Sequence, residues 1–290
     1  MNILYQFNFF HEIPADQLTK YISKIYNILV DYLYKKYSAS RLGGIARIQK
    51  YGNPGTPDGR RKGGLISIKT NELLENGFKK AKKHRKPKNS GKLAEFMGIM
   101  FGDGHLSRYQ ATVTTNSETD INHAKYVQRL SYELFNVSST LNFKKDRRAV
   151  DITTSSINLV KWINSKGMPI GNKLKNGLNI PNWILKNKSF KKAFLRGLFD
   201  TDGCIYVDKH KIKGILYQNY GWVITSYSKE LRSGVLKILE EIGFHPTNTE
   251  KQHSVYLRKK VDIKKYFEVI GTNNEKHLKR YNKGRVPKRL

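Results

Sequence analysis

The feature that most constrains the fold of this 290-residue chain is a pair of similar apolar segments that each end in Asp-Gly. The first is FMGIMFGDG at 96–104 and the second is LRGLFDTDG at 195–203, so Asp103 and Asp202 occupy matching positions. Apolar helices rarely end in an acid, and two that do so in step indicate a duplicated unit that places two carboxylates together. Paired carboxylates are ligands for a divalent cation. Taken alone, each Asp-Gly would be better explained by a helix that stops at a left-handed glycine, and only the pair favours a metal site.

Small residues recur four positions apart in both segments, at Gly98 and Gly102 and at Gly197 and Thr201. Residues at i and i+4 share one helix face, and a mid-helix glycine costs about 1 kcal/mol relative to alanine. We therefore expect these four residues to form an interface between two closely packed helices, whose C-terminal ends then lie side by side. The exposed carbonyls and partial negative charge of helix C-termini add to the two acids. Such oxygen ligands select Mg²⁺ rather than zinc.

The order of predicted elements repeats from about residue 91 onward as helix, two strands, helix, two strands, helix. We predict an α+β fold of two pseudo-symmetric αββαββα repeats with antiparallel sheets, the first repeat and its connector at 91–188 and the second at 189–290. The connector before the second motif is expected to pack through Ile180, Trp183 and Ile184.

Residues 1–90 differ in character from the rest of the chain. Apolar residues at helical spacing predict a helix over 14–37, and the Gly-Gly pairs at 43–44 and 63–64 predict turns and short elements between 41 and 90. We interpret this part as a helical and basic segment that either binds DNA as an accessory region or braces the core.

The charge indicates a polyanionic partner. The chain has 54 Lys and Arg against 23 Asp and Glu, a net charge of +31, for which nucleic acid is the default partner. The single cysteine, Cys204, excludes an internal disulfide and a zinc site of several thiolates. Because no apolar run approaches the ~20 residues of a membrane span and the N-terminal sequence lacks signal-peptide features, we expect a soluble intracellular protein without a membrane partner.

The two motifs together resemble the paired motifs of LAGLIDADG homing endonucleases in their single-chain, two-motif form. The resemblance covers roughly 91–275 and includes NIPNWI at 179–184 and FEVIG at 267–271. In that family the two acids hold metal ions between two scissile phosphates, one on each strand.

The resemblance implies a Mg²⁺-dependent, site-specific double-strand DNA endonuclease in which Mn²⁺ substitutes for Mg²⁺. Asp103 and Asp202 would be the catalytic metal ligands, helped by the carbonyls of Gly102 and Thr201. It also implies a monomer with internal pseudo-two-fold symmetry, whose antiparallel sheets form a saddle for double-stranded DNA.

Some nearby positions depart from symmetry. Asp200 in the second motif is matched by Phe101 in the first, so we interpret Asp200 as a supporting or capping group rather than a ligand. His105 follows the first Asp-Gly where Cys204 follows the second, which favours a structural or DNA-facing role for this histidine.

The resemblance also calls for a basic residue in each repeat that orders the attacking water. In the second repeat Lys259 is the best candidate, with Arg258 ranked after it. In the first repeat Lys144, Lys145 and Arg147 compete for this role.

Base and phosphate contacts are expected from basic and amide residues of the predicted hairpins, and from a glycine-flanked basic turn in the N-terminal segment. These residues are Lys144, Lys145, Arg147, Arg148, Lys209, Lys211, Lys213, Gln218, Arg258, Arg60, Arg61 and Lys62.

Two alternatives on the same fold stay open: a DNA-binding regulator that does not cleave, and an intron maturase that binds RNA. An intein is disfavoured because the sequence neither starts with Cys or Ser nor ends in His-Asn.

Overall fold

The computed structural model describes residues 14–53, 55–73, 83–212 and 215–285, and the chain divides into two compact units, 1–79 and 80–290. The basic stretch before residue 90 therefore enters the second unit. There the backbone N–H of Arg85 donates to the carbonyl of Phe135 at 2.8 Å, and the Arg85 guanidinium donates to the carbonyl of Glu133 at 3.2 Å.

The first unit contains two helices, α1 (Ala15–Tyr51) and α2 (Pro57–Leu73). The helix predicted over 14–37 thus continues to Tyr51, and the turns predicted at Gly43–Gly44 and Gly63–Gly64 are wrong, because both pairs lie inside helices. An interior glycine costs a helix only about 1 kcal/mol, which the long flanking helical runs offset. Pro57 begins α2, a position where proline is favoured.

The second unit contains the predicted duplication. The first copy consists of α3 (Gly91–Gly102), β1 (Gly104–Leu106), β2 (Gln110–Asn116), α4 (Ile121–Phe135), β3 (Thr140–Phe143), β4 (Ala149–Ser155) and α5 (Ile157–Ser165). A short helix, α6 (Asn182–Leu185), lies in the connector. The second copy consists of α7 (Lys188–Asp202), β5 (Gly203–Ile212), β6 (Ile215–Thr225), α8 (Lys229–Ile242), β7 (Thr247–Thr249), β8 (Ser254–Leu257) and α9 (Lys260–Val269), followed by α10 (Glu275–Arg285).

The two sheets share one topology. Their strand orders are β1-β2-β4-β3 and β5-β6-β8-β7, and every neighbouring pair is antiparallel. The predicted α+β class and its repeated units are therefore confirmed, with α10 as an addition to the second copy.

The core of the second unit lies around α3 and α7, which are buried along most of their length. Phe199 of α7 stacks on Trp222 of β6 with ring centroids 5.1 Å apart, and its edge meets Tyr266 of α9. In the connector Ile180 and Ile184 are buried, which agrees with the predicted packing role of this stretch.

Among the residues that the structure describes, no helix combines the length and apolarity that a membrane crossing requires.

Candidate metal and nucleic-acid site

Glycines allow α3 and α7 to touch backbone to backbone. A Cβ atom added to Gly98 would lie 2.8 Å from the backbone nitrogen of Leu198, and one added to Gly197 would lie 3.0 Å from the backbone nitrogen of Ile99. Each added atom would also overlap a carbonyl oxygen of the opposite helix, that of Phe194 and that of Glu95. Only a residue without a side chain fits at either position.

The same approach continues to the C-terminal ends of the two helices. A Cβ atom at Gly102 would lie 2.9 Å from the Cβ of Thr201 and 3.3 Å from the carboxyl carbon of Asp202. Asp103 directly follows α3, and Asp202 is the last residue of α7. The structure therefore brings the two acids predicted from the motifs to adjoining helix ends, together with Gly102 and Thr201.

The surroundings of both carboxyl groups disfavour their ionised forms. Burial raises the pKa of Asp103 to about 6, an effect that the positive charges of Lys173 and Lys276 oppose. Burial and the neighbouring charge of Asp103 raise the pKa of Asp202 to about 7, again against the charge of Lys173. Two carboxylates in such surroundings ionise together more readily when a cation lies near them.

A cation of the protein itself, Lys173, lies at this position. Its ammonium group donates to the carbonyl oxygens of Phe101 at 2.9 Å and Gly104 at 3.1 Å, and also to that of Gly102. Sequence reasoning missed this residue, since the connector was expected only to pack through apolar side chains. Nothing in the local sequence distinguishes Lys173 from the other basic residues of the chain.

The donor set fits a hard divalent cation. It consists of two carboxylates and helix-end carbonyls, and the described residues contain no group of three or more His, Cys, Asp or Glu able to hold a metal ion. Mg²⁺ commonly takes only one or two protein carboxylates and completes its shell with water and substrate phosphate oxygens. His105 is exposed on β1, while the half-buried Cys204 accepts a hydrogen bond from Arg280 at 3.3 Å.

Asp200 anchors the segment between α9 and α10. Its fully buried carboxylate accepts hydrogen bonds from the Thr272 hydroxyl and, at 2.9 Å, from the backbone N–H of Asn273. Burial raises its pKa to about 7, and these hydrogen bonds act in the opposite direction. Asp200 therefore stabilises the fold and is not a ligand of the paired acids' site. The first repeat has Phe101 at the matching position and does not need an acid there.

A polar cluster also ties the two repeats together. Glu95 of α3 is buried and pairs with Arg196 of α7, with the Tyr126 hydroxyl of α4, and with the side-chain amide of Asn273. Farther along, Lys276 of α10 forms a 2.8 Å ion pair with Asp120. This interface cluster fixes the relative position of α3 and α7, on which the meeting of the two acids depends.

The outer face of the first sheet is lined by small polar side chains. Ala111, Val113 and Ile152 point into the core, so strand alternation puts the intervening residues on the opposite face. This outer face consists of Gln110, Thr112, Thr114, Asn116, Thr140, Asn142, Asp151, Thr153 and Ser155.

One group on this face lies close to the first acid. The backbone N–H of Thr114 donates to the Asp103 carbonyl at 3.2 Å, and the Thr114 hydroxyl donates to Asp151 at 2.7 Å. Asp151 in turn forms a 2.6 Å ion pair with Lys144. Of the three basic residues that compete for a role in the first repeat, Lys144 is therefore connected to Asp103 through Thr114 and Asp151.

The other basic residues of the β3–β4 hairpin lie at its tip, as the sequence suggested. Lys145 and Arg147 are exposed, and Arg148 pairs with Glu118 at 3.3 Å.

The outer face of the second sheet is more aromatic. The Tyr206 ring lies over Gly221, where a side chain would collide with it, and its centroid is 6.3 Å from that of Tyr256. The Arg258 guanidinium lies 4.8 Å from the centre of the Tyr256 ring. The two sheets thus present chemically different outer faces.

The β5–β6 hairpin extends beyond the part of the sheet that β8 covers. Lys209 and Lys211 are exposed on this extension, but alternation from the buried Ile205 places them on the face opposite to Tyr206. Gln218 pairs with Lys209 across the hairpin. Lys213 lies outside the described residues.

Lys259 is not brought next to Asp202 by the strand register. Gly203 is level with Ile224, which is level with Val255, and Lys259 follows four residues later at the N-terminus of α9. Because β8 ends at Leu257, the register places Val255 rather than Lys259 level with the residue that follows Asp202.

Arg60, Arg61 and Lys62 lie on α2 rather than in a glycine-rich turn, so the phosphate-binding loop expected there is absent from the described part of the chain. The guanidinium of Arg60 donates to the carbonyl of Gly55 at 2.6 Å.

Comparison with known proteins finds a family model that matches the second repeat. Residues 189–281 match the LAGLIDADG-like domain. The replication factor C small subunit of Methanocaldococcus jannaschii is 34% identical over 208 residues, which are 66% of this chain and 11% of that protein. The tRNA-splicing ligase RtcB of Methanopyrus kandleri is 26% identical over 186 residues, 57% of this chain and 19% of the ligase. The chain thus spans only a tenth to a fifth of these relatives.

A solved structure of the homing endonuclease I-DmoI in complex with DNA and Mn is 22% identical and has a TM-score of 0.42. The similarity covers 62% of this chain and 96% of that protein.

Proposed function

We propose that this chain, whose second repeat is a LAGLIDADG-like domain, is a divalent-cation-dependent endonuclease that cuts both strands of DNA at a long asymmetric site. The observation that carries the proposal is the meeting of Asp103 and Asp202 at the ends of two helices whose close approach requires Gly98, Gly102 and Gly197. A purely structural protein would gain nothing from placing two acids with raised pKa values together.

The residues at the helix ends would hold the cation. Asp103 and Asp202 supply carboxylate oxygens, and the carbonyls of Gly102 and Thr201 are additional donors. Mg²⁺ is the expected ion, and Mn²⁺ is expected to substitute. Bound there, a divalent cation stabilises charge on the scissile phosphate and lowers the pKa of the attacking water.

Other groups of the chain would position the substrate. Lys144 lies at the edge of the first sheet and its ion pair with Asp151 fixes its ammonium group, so we assign it to the scissile-phosphate region of the first repeat. The exposed Lys145 and Arg147 at the hairpin tip would contact phosphates farther along the duplex.

The outer sheet faces would read bases in the major groove, which admits a β-ribbon. Amide and hydroxyl groups dominate the first face, whereas Tyr206 and Tyr256 dominate the second. Two different faces in one chain suit a non-palindromic target. Arg258 and Lys259 would then contribute phosphate contacts on the second half, whereas Lys209 and Lys211 lie on the opposite face of the hairpin.

The relatives support a self-contained module. A replication factor subunit and an RNA ligase have unrelated activities, yet each shares with this chain a segment that makes up no more than a fifth of its length. A segment that acts independently of its surroundings explains this distribution, as a homing endonuclease does.

One observation favours a second candidate, a DNA-binding protein that does not cleave. The Lys173 ammonium group donates to the Gly102 carbonyl oxygen, which a metal ion would use as a ligand. If this lysine permanently neutralised the charge of the two acids, the protein would bind DNA without hydrolysing it.

The deciding experiment is cleavage of a plasmid that carries the uninterrupted insertion site of the host element, in Mg²⁺ and in EDTA. Wild type is compared with Asp103→Asn and Asp202→Asn, and with Asp146→Asn as a control at an exposed acid of the hairpin tip. The proposal is supported if wild type and Asp146→Asn cut both strands in Mg²⁺, and if Asp103→Asn and Asp202→Asn bind the site without cutting it. Binding without cleavage by wild type would refute it in favour of the second candidate.

A further inference from the structure

The connector between the two repeats is folded onto the acid pair. The backbone N–H of Gly171 donates to the carbonyl of Leu106 on β1 at 2.7 Å. The Asn172 side chain accepts hydrogen bonds from the backbone N–H groups of Leu174 and Lys175, both at 3.1 Å. This turn leaves Lys173 directed at the end of α3 as part of an ordered loop.

Lys173 binds the helix end in the manner of a cation ligated by carbonyls. Three carbonyl oxygens from Phe101, Gly102 and Gly104 accept hydrogen bonds from one ammonium group, which uses all three of its donors. The side chain is half-buried, and no ion pair within 4 Å joins it to Asp103 or Asp202 in the described structure. Its charge nevertheless acts on both acids.

The second repeat has a different arrangement. At the end of α7 the Thr201 hydroxyl donates to the carbonyls of Leu198 and Gly197 at 2.9 and 3.2 Å. These bonds are within the helix and carry no formal charge. The two halves of the candidate site are therefore unequal in charge, although their backbones follow the same topology.

We propose that Lys173 is a built-in cation of this site, which stabilises the acid pair in the absence of metal and competes with a divalent ion for the Gly102 end of α3. The inference rests on the proposed metal site. Its two consequences are opposite in sign: removing the ammonium group weakens the metal-free protein and strengthens divalent binding.

The first consequence is tested in EDTA, where no metal is involved. Unfolding is measured for Lys173→Met, for the Asp103→Asn/Asp202→Asn double variant, and for the combination of all three changes. Lys175→Met is the control, because Lys175 is exposed in the same turn. Lys173→Met should lower the melting temperature more than the control does, and this loss should shrink by at least half once both acids are neutral. An equal loss in both backgrounds overturns the proposal, since Lys173 would then act only through the carbonyls or through packing.

The second consequence is tested by calorimetric titration of wild type, Lys173→Met and Lys175→Met with Mg²⁺ and with Mn²⁺, without DNA. Removing one positive charge within several ångströms of a divalent ion should tighten binding roughly tenfold for Lys173→Met and leave Lys175→Met unchanged. Equal affinities in the three proteins, or weaker binding by Lys173→Met, overturn the competition.

The two tests separate this inference from the proposed function. If no protein binds metal and the EDTA result still shows coupling between Lys173 and the acids, the metal site fails, and Lys173 is the permanent counter-ion of a site that does not cleave. That outcome would refute the competition between Lys173 and a divalent ion, and it would support the stabilisation of the acid pair by Lys173.

Discussion

The glycine contact between α3 and α7 makes a sharp prediction for Gly98→Ala. The added methyl group would meet the backbone of α7, 2.8 Å from the Leu198 nitrogen and 3.1 Å from the Phe194 carbonyl carbon. Carbon atoms in good contact lie about 3.5–4.0 Å from their neighbours. Neither neighbour is a side chain that can rotate away, so the two helices must separate by about 0.7 Å or more.

The size of the effect follows from two opposing terms. Overpacking in a close-packed core costs about 1–3 kcal/mol, and a rigid backbone on the other side favours the upper end. Alanine regains about 1 kcal/mol of helix propensity over glycine. The net loss should be about 2 kcal/mol, or roughly 4–8 °C in melting temperature for a unit of about 200 residues.

Thermal and denaturant unfolding of Gly98→Ala and Gly91→Ala would test this reasoning. Gly91 lies on the same helix, and a Cβ atom there would sit 3.9 Å from the Cβ of Ala193, an ordinary contact. Gly91→Ala should therefore be neutral or slightly stabilising. Equal melting temperatures for the two variants would show that α3 and α7 are not held together as closely as the structure indicates.

Three further predictions concern charge and anchoring. Burial raises the folded pKa of Asp103 to about 6 and of Asp202 to about 7, above an unfolded value near 3.9. These two groups therefore bind more protons in the folded than in the unfolded protein between about pH 4 and 7, and their contribution to the metal-free unfolding free energy falls as pH rises through that window. Buried Asp200 acts in the same direction, whereas buried His123 and His277, whose pKa values are lowered to about 4 and about 3, act in the opposite direction. The unfolding free energy of the Asp103→Asn/Asp202→Asn variant should therefore have a more positive slope against pH than that of wild type in this window, and identical slopes would contradict the assignment. Asp200→Ala removes the acceptor of Thr272 and of the Asn273 N–H and should cost about 2 kcal/mol in denaturant unfolding, whereas Asp146→Ala at an exposed site should change stability by less than about 0.5 kcal/mol. Removal of residues 1–79, the first compact unit, should lower the salt dependence of DNA binding by about 0.9 per lost phosphate contact, and an identical slope would exclude that unit from the interface.

The sequence was sufficient to predict the acid pair and the repeated architecture because these depend on local patterns. The two Asp-Gly ends, the small residues four apart and the alternating strands each leave a signature within about ten residues. Their meeting in space then follows from one assumption, that the two glycine faces pack on each other.

What the sequence could not predict depends on long-range geometry. Lys173 reaches the acids because the connector folds onto β1, and a lysine in a basic chain carries no sign of that. The partners of Asp200 lie more than 70 residues away, at Thr272 and Asn273.

The helices of the N-terminal unit were missed for a different reason. The Gly-Gly pairs at 43–44 and 63–64 are weak breakers, and a Cβ atom at any of these positions would meet nothing within 4 Å. A side chain at these four positions would therefore neither clash nor gain a contact, so the glycines there are not required by packing.

The hydrogen bonds of Asn273 have a consequence for how the protein is made. Its side chain completes the surroundings of Glu95, a residue 178 positions earlier, and Lys276 does the same for Asp120. During synthesis the buried acids of the first repeat therefore leave the ribosome long before their partners exist. Tyr126 is available to Glu95 within the first repeat, but the full set of hydrogen bonds around Glu95 and Asp120 forms only after the end of the second repeat has been translated.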